Sequence, residues 1–147
     1  MDRKNKEGSN FFKSLKYVPK HLTSLSFFLL FGVISILFSG RKSESLRFNF
    51  LLDFMPDFYQ HISNFSLSFL LYAGIGYLWL MMDVKIRYIN AFGIVLLLAN
   101  LVYELYIPVL NTPDIMDAYF GFVGTFFGFL FLVFVKRYGL KFNPLVK

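Results

Sequence analysis

Apolar side chains dominate four runs of the chain, Leu22–Phe38, Ile62–Met82, Ile89–Val109 and Ala118–Val135, and polar residues gather between them. A helix that crosses a bilayer needs about 20 apolar residues, with about 17 as the short limit. Each run therefore predicts one transmembrane helix. Transmembrane β-strands would instead be stretches of about 10 residues alternating apolar and polar, and these runs are longer and continuous. The connections at 85–88 and at Asn111-Thr112-Pro113 are short, which makes sequence neighbours antiparallel and adjacent. The expected architecture is all-α: an integral membrane four-helix bundle, one domain over 1–147, with no internal repeat or linker.

Two segments between the runs carry patterns of their own. In "LRFNFLLDF", Leu46, Phe48, Phe50, Leu52 and Phe54 alternate with Arg47, Asn49, Leu51 and Asp53. Period-two alternation predicts a strand-like segment with one apolar face, lying at the interface because an open edge is excluded from hydrocarbon. A short amphipathic helix is the competing reading. Met55-Pro56 marks a boundary, with proline expected at the first position of the next helix. Residues 1–20 form a basic N-terminal segment whose first ten residues are polar and expected to be disordered. In its second half, Phe11, Phe12, Leu15, Tyr17 and Val18 interleave with lysines. That mixture suits a segment lying in the headgroup boundary, and equally a basic lead-in to the first span.

Composition agrees with a membrane solvent: 56% of the 147 residues are hydrophobic and 21% aromatic. Mean hydropathy is +0.56, which in water would leave large apolar patches. The formal net charge of +6 is explained by placement rather than by nucleic acid, which is not an expected partner. Arg3, Lys4, Lys6, Lys13, Lys16 and Lys20 precede the first run. Lys85 and Arg87 separate the second from the third, and Lys136, Arg137, Lys141 and Lys147 follow the fourth. Only Arg41, Lys42 and Arg47 fall in the alternate connections. Lys/Arg bias toward the cytoplasm then places both termini inside a cytoplasmic membrane, with the bilayer as partner and 39–61 and 110–117 facing outward. The first run is expected to stay on the protein, because it exceeds the 7–15 apolar residues of a signal peptide and Ile36-Leu37-Phe38 is a poor cleavage site. Without cysteine there is no disulfide or thiol chemistry.

Ionisable residues within spans are costly and by default mark function. With this topology Asp57, His61, Glu104, Asp114 and Asp117 all fall near the outer boundary. Asp57 and His61 share a helical face at i, i+4, as do Asn100 and Glu104, while Asp114 and Asp117 share one at i, i+3. Glu104 lies about 7–8 Å below the boundary at 1.5 Å per residue. Asn90, Gly93 and Leu97 continue the Asn100 stripe inward. Each group has a plainer reading. Thr112 reads as an N-cap with Pro113 at the first helical position. Asp114 and Asp117 would then complement the helix dipole, and His61 could be an interfacial histidine. Gly121, Gly124 and Gly128 share the Asp117 face and read first as helix packing; a homo-oligomer is compatible with such a stripe. His61, Glu104 and Asp117 are the catalytic candidates. Asp57, His61, Asn100, Glu104, Asp114 and Asp117 are the binding candidates. A His with carboxylates could hold a divalent cation or act as an acid–base pair. One histidine makes an all-protein zinc site unconvincing, so no metal ligand set or cofactor is assigned.

From 57 to 128 the chain resembles the VanZ-like family of small bacterial membrane proteins, named for a teicoplanin-resistance protein. Asp57 and His61 match its Asp-Lys-x-x-His phrase, Glu104 its glutamate near the outer end of the third span. Asp114, Asp117, Gly124 and Gly128 match its closing Arg-x-x-Asp-x-x-Asp-x-x-x-Asn-x-x-Gly-x-x-x-Gly phrase. Phe58, Ile107, Asn111 and Gly121 depart from the pattern, and the lost lysine and arginine remove binders of phosphate or carboxylate. The resemblance implies an outward His/carboxylate pocket for a cell-envelope component, such as a lipid-linked or cell-wall precursor, with a link to glycopeptide resistance. A membrane-embedded enzyme acting on such a molecule and a structural membrane subunit are the alternatives.

Overall fold

The computed structural model describes residues 15–106 and 114–146. Its architecture is all-α, built on four helices long and apolar enough to cross a membrane. They are α1 (His21–Ser39), α3 (Phe58–Met81), α4 (Ile86–Tyr106) and α5 (Ile115–Phe134), the last running on through a π-turn at Val135–Gly139. A short helix, α2 (Asn49–Phe54), lies between α1 and α3, and two three-residue strands, β1 (Tyr17–Pro19) and β2 (Leu140–Phe142), flank the bundle. In hydrocarbon every backbone N–H and C=O must be satisfied within the segment, and a helix does that by itself.

The central pair is α3 and α5, whose most apolar windows are 39% and 44% buried, against 11% for α1 and α4. Small residues set their closeness. A Cβ at Gly124 would collide with the Phe65 carbonyl oxygen on α3, and one at Gly128 would touch Tyr72. Gly76 returns the arrangement from α3, against Leu132. Between lipid-embedded helices such close approach supplies the van der Waals packing that drives association. Tyr72, Ala73, Ile89, Leu132 and Val135 fill the core in the half nearer the α3–α4 turn, where Phe27 stacks on Tyr77 at 4.7 Å between centroids. Phe28, Leu29, Ile94, Leu98 and Phe122 are exposed, as lipid-facing side chains are.

Three expectations need correction. The segment 46–54 is not a strand: a 3₁₀ turn at Glu44–Leu46 leads into α2. With no neighbouring edge to pair with, a helix satisfies more backbone groups, and the extended Phe48 N–H goes to Tyr59 Oη at 2.8 Å. Pro56 is not the first residue of α3; it lies in a turn and Asp57 takes the N-cap position. At α5 the cap is Asp114, not Thr112, which with Pro113 lies outside the described residues. Tyr17–Pro19 also pairs antiparallel with Leu140–Phe142, Tyr17 opposite Phe142. Asn143 Nδ2 locks the sheet by donating to the Leu15 carbonyl at 2.7 Å.

The spans also shift by a few residues, since α3 begins at Phe58 and α4 at Ile86, ahead of the apolar runs. Polar first turns such as Tyr59-Gln60-His61 are helical although they are not apolar. The stretches 1–14 and 107–113, the second including the predicted end of the third span, lie outside the described residues.

The sheet puts both flanks on one face, and Lys16 extends it by pairing with Asp83 at 2.5 Å in the α3–α4 turn. Asp83, with φ of 64°, adopts the left-handed conformation that aspartate tolerates better than most residues. A hydrogen bond from Lys16 to Asp83, and then the Asp83 charge, hold the Lys16 ammonium above its ordinary range. The opposite face, where α3 and α5 begin, carries the polar cluster.

Candidate functional site

At that opposite end, α3 presents polar side chains to both of its neighbours. His61, one turn into the helix, is 8% exposed and turns toward α5, its Nδ1 2.9 Å from Asp117 Oδ1 and 3.5 Å from Asp114 Oδ2. Asn64, one turn further, turns toward α4 and donates from Nδ2 to Glu104 Oε1 at 3.0 Å. Glu104 is 2% exposed, at a depth where an ionised carboxylate requires polar neighbours. The i, i+3 pair His61/Asn64 therefore brings carboxylates of two other helices to one helix end.

The start of α5 explains how its aspartates are oriented. Asp114 is extended, and its Oδ1 accepts from the Met116 N–H at 2.8 Å, capping the helix. Its other oxygen faces His61. Asp117 lies in the first turn, where the helix dipole favours negative charge. Phe120, one turn on from Asp117, sets its ring 5.5 Å from the imidazole, closing one side of the cluster with an apolar wall.

The remaining candidates lie apart from this contact. Asp57 is exposed and accepts from Gln60 Nε2 at 3.0 Å. Asn100 packs against Gly121, where a Cβ would collide with its amide. Gly121, Gly124 and Gly128 are thus applied to Asn100, Phe65 and Tyr72 of this same chain. Asn90, Gly93 and Leu97 line a separate cavity of about 230 Å³ with Tyr72 and Thr125.

Two further polar partners, Asn64 and Arg41, lie outside the residues that sequence pattern singles out. Asn64 could have been noticed as the residue three after His61, on the same face. Arg41 donates from Nη1 to Ser63 Oγ at 2.7 Å, a link between the end of α1 and α3 that no local pattern signals.

Chemically, a carboxylate beside His61 Nδ1 fixes the imidazole's orientation. With the proton on Nδ1, Nε2 keeps its lone pair, the arrangement of a general base or a metal ligand. One ligand atom each from His61, Asp114 and Asp117 lies within 4.8 Å of the others. With Nδ1 unprotonated instead, this mixed nitrogen and oxygen set of three could hold a divalent cation and leave positions for a ligand's oxygens. Comparison of the chain with protein-family models, curated proteins and solved structures finds no match. On its own geometry this is a multi-pass membrane protein with a buried His/Asp cluster at one end of its bundle.

Proposed function

We propose that this chain is a VanZ-like protein of the cytoplasmic membrane whose outward His/carboxylate pocket recognises a cell-envelope component and contributes to glycopeptide resistance. The observation that carries this reading is the contact of His61 with Asp117 and Asp114 at 2.9 and 3.5 Å. Two spans commit three ionisable groups to one point there, beyond what capping a helix requires. Orientation is supported by charge: Lys16, Lys20, Lys85, Arg87, Lys136, Arg137 and Lys141 belong to the end with the strands and the α3–α4 turn, as cytoplasmic segments do. His61→Ala and Asp117→Asn, expressed at normal membrane levels, should each lower glycopeptide tolerance of the producing cell. Unchanged tolerance in both rejects the reading.

The enzymatic alternative draws on the same cluster, with His61 as base and Asp117 or Glu104 as acid or metal ligand. The three donor atoms within 4.8 Å favour it. Stoichiometric divalent metal in the purified protein, lost in Asp117→Asn, is its expected mark. The purely structural alternative is weakened because the glycine stripe packs within this chain.

A further inference from the structure

A groove of about 490 Å³ runs down the bundle between the end of α1, α3 and α4. Arg41, Ser63 and Asn64 line one end, and Leu67, Leu71 and Leu96 continue the wall toward mid-membrane. Leu71 is two helical turns below Ser63, about 12 Å at 1.5 Å per residue. Leu67 and Leu71 are exposed, so the apolar stretch opens to the bilayer rather than into the core. The wall is thus polar and cationic at the membrane surface and mainly apolar beneath, interrupted by Ser68 and Asn100.

The cation is available. Glu44 is engaged by Arg47, and among the described residues Arg41 has only the neutral Ser63 hydroxyl as a side-chain partner. A guanidinium presents a planar fork of donors suited to phosphate, and the adjoining hydroxyl and amide add hydrogen-bonding groups at the same level.

From this we infer that the groove is a binding site for a phosphate-headed lipid, the phosphate on Arg41 and one hydrocarbon chain along Leu67, Leu71 and Leu96. The inference goes beyond the recognition reading, since this groove is separate from the His61 cluster, and rests on that reading only for the outward orientation. A zwitterionic headgroup would oppose its own cation to Arg41, whereas a phosphate monoester complements it. Free phosphate would gain nothing from the apolar wall.

Native mass spectrometry of the full-length protein, released from vesicles of equimolar phosphatidic acid and phosphatidylcholine, tests the assignment. One phosphatidic acid should be retained in preference to phosphatidylcholine. Arg41→Gln should reduce that retention roughly tenfold, the loss expected for a charge-assisted hydrogen bond, and Arg41→Lys should recover part of it. Leu71→Trp, at an exposed position, should displace the chain without touching the headgroup end. His61→Ala should retain the lipid, so that lipid binding and the His61 reading fail separately. Equal retention of both lipids overturns the proposal, as does wild-type retention in both Arg41→Gln and Leu71→Trp. Displacement by millimolar inorganic phosphate also overturns it, by assigning the groove to a free anion.

Discussion

Asp114 shows how one side chain serves both folding and chemistry. One oxygen caps α5 through the Met116 N–H and the other faces His61, so substitutions can separate the two roles. Asp114→Asn keeps a capping oxygen but removes the charge; Asp114→Ala removes both. Loss of an N-cap costs about 0.5–2 kcal/mol. Asp114→Ala should therefore melt measurably earlier, while Asp114→Asn should melt like the parent and affect only what the cluster binds. Glu104→Gln poses the same question on α4. Its amide oxygen can still accept from Asn64, so the fold should survive with thermal stability lowered by about 1–3 kcal/mol at most. A loss of glycopeptide tolerance in a variant that melts normally would then report charge rather than packing. Collapse of the fold in Glu104→Gln would instead make Glu104 a structural residue.

At the scale of elements, Gly124 sets α5 against the α3 backbone, and glycine positions with and without neighbours supply their own control. A methyl at Gly124 meets backbone, the Phe65 carbonyl, which cannot rotate away, whereas one at Gly74 meets nothing within 4 Å. Overpacking of this kind costs about 1–3 kcal/mol. Gly124→Ala should lower the melting temperature by several degrees, and Gly74→Ala should leave it unchanged or raise it slightly through helix propensity. Equal behaviour of the two would remove Gly124 as the determinant of the α3–α5 crossing. The helices themselves were legible in the sequence because bilayer-length apolar runs admit no other solution. Their first turns were not, since hydropathy registers apolar content while polar residues such as His61 extend the same hydrogen-bonded ladder. Phe48 to Phe54 misled for a related reason: alternation over so few residues also allows a short helix, and only tertiary surroundings decide. Of the site, the shared level of His61, Glu104 and Asp117 could be read from helix direction. Asn64 could be set beside His61 by spacing, but its pairing with Glu104 could not be read, because periodicity does not say which neighbour each face meets. Arg41 was hidden more deeply, its partner lying 22 residues away across a helix connection.

For the molecule as a whole, the terminal sheet is a constraint on topology. Antiparallel pairing of Tyr17–Pro19 with Leu140–Phe142 holds both flanks at one membrane face, and Lys16 ties that face to the α3–α4 turn. The tie is charge-dependent and solvent-exposed, so salt should screen it. Because the folded state raises the Lys16 pKa, its contribution is fully present below the ordinary lysine pKa and lost as pH rises through the raised value. Asp83→Asn, which keeps a residue tolerant of positive φ, should reduce stability at neutral pH and low salt. The difference from the parent should vanish in molar salt and at pH above the lysine range, as followed by thermal melting. The same arrangement makes an inseparable demand on orientation. Even span number and paired flanks require reporters fused at Arg87 and after Phe142 to agree, and one at Ser45, across α1, to oppose both. On the proposed orientation, with the basic strand-bearing end cytoplasmic, Arg87 should read inside, and Ser45 and Asn111 outside. Reversal of all four reporters would preserve the bundle yet turn the His61 cluster and the Arg41 groove to the cytoplasm, excluding any ligand confined to the outer leaflet.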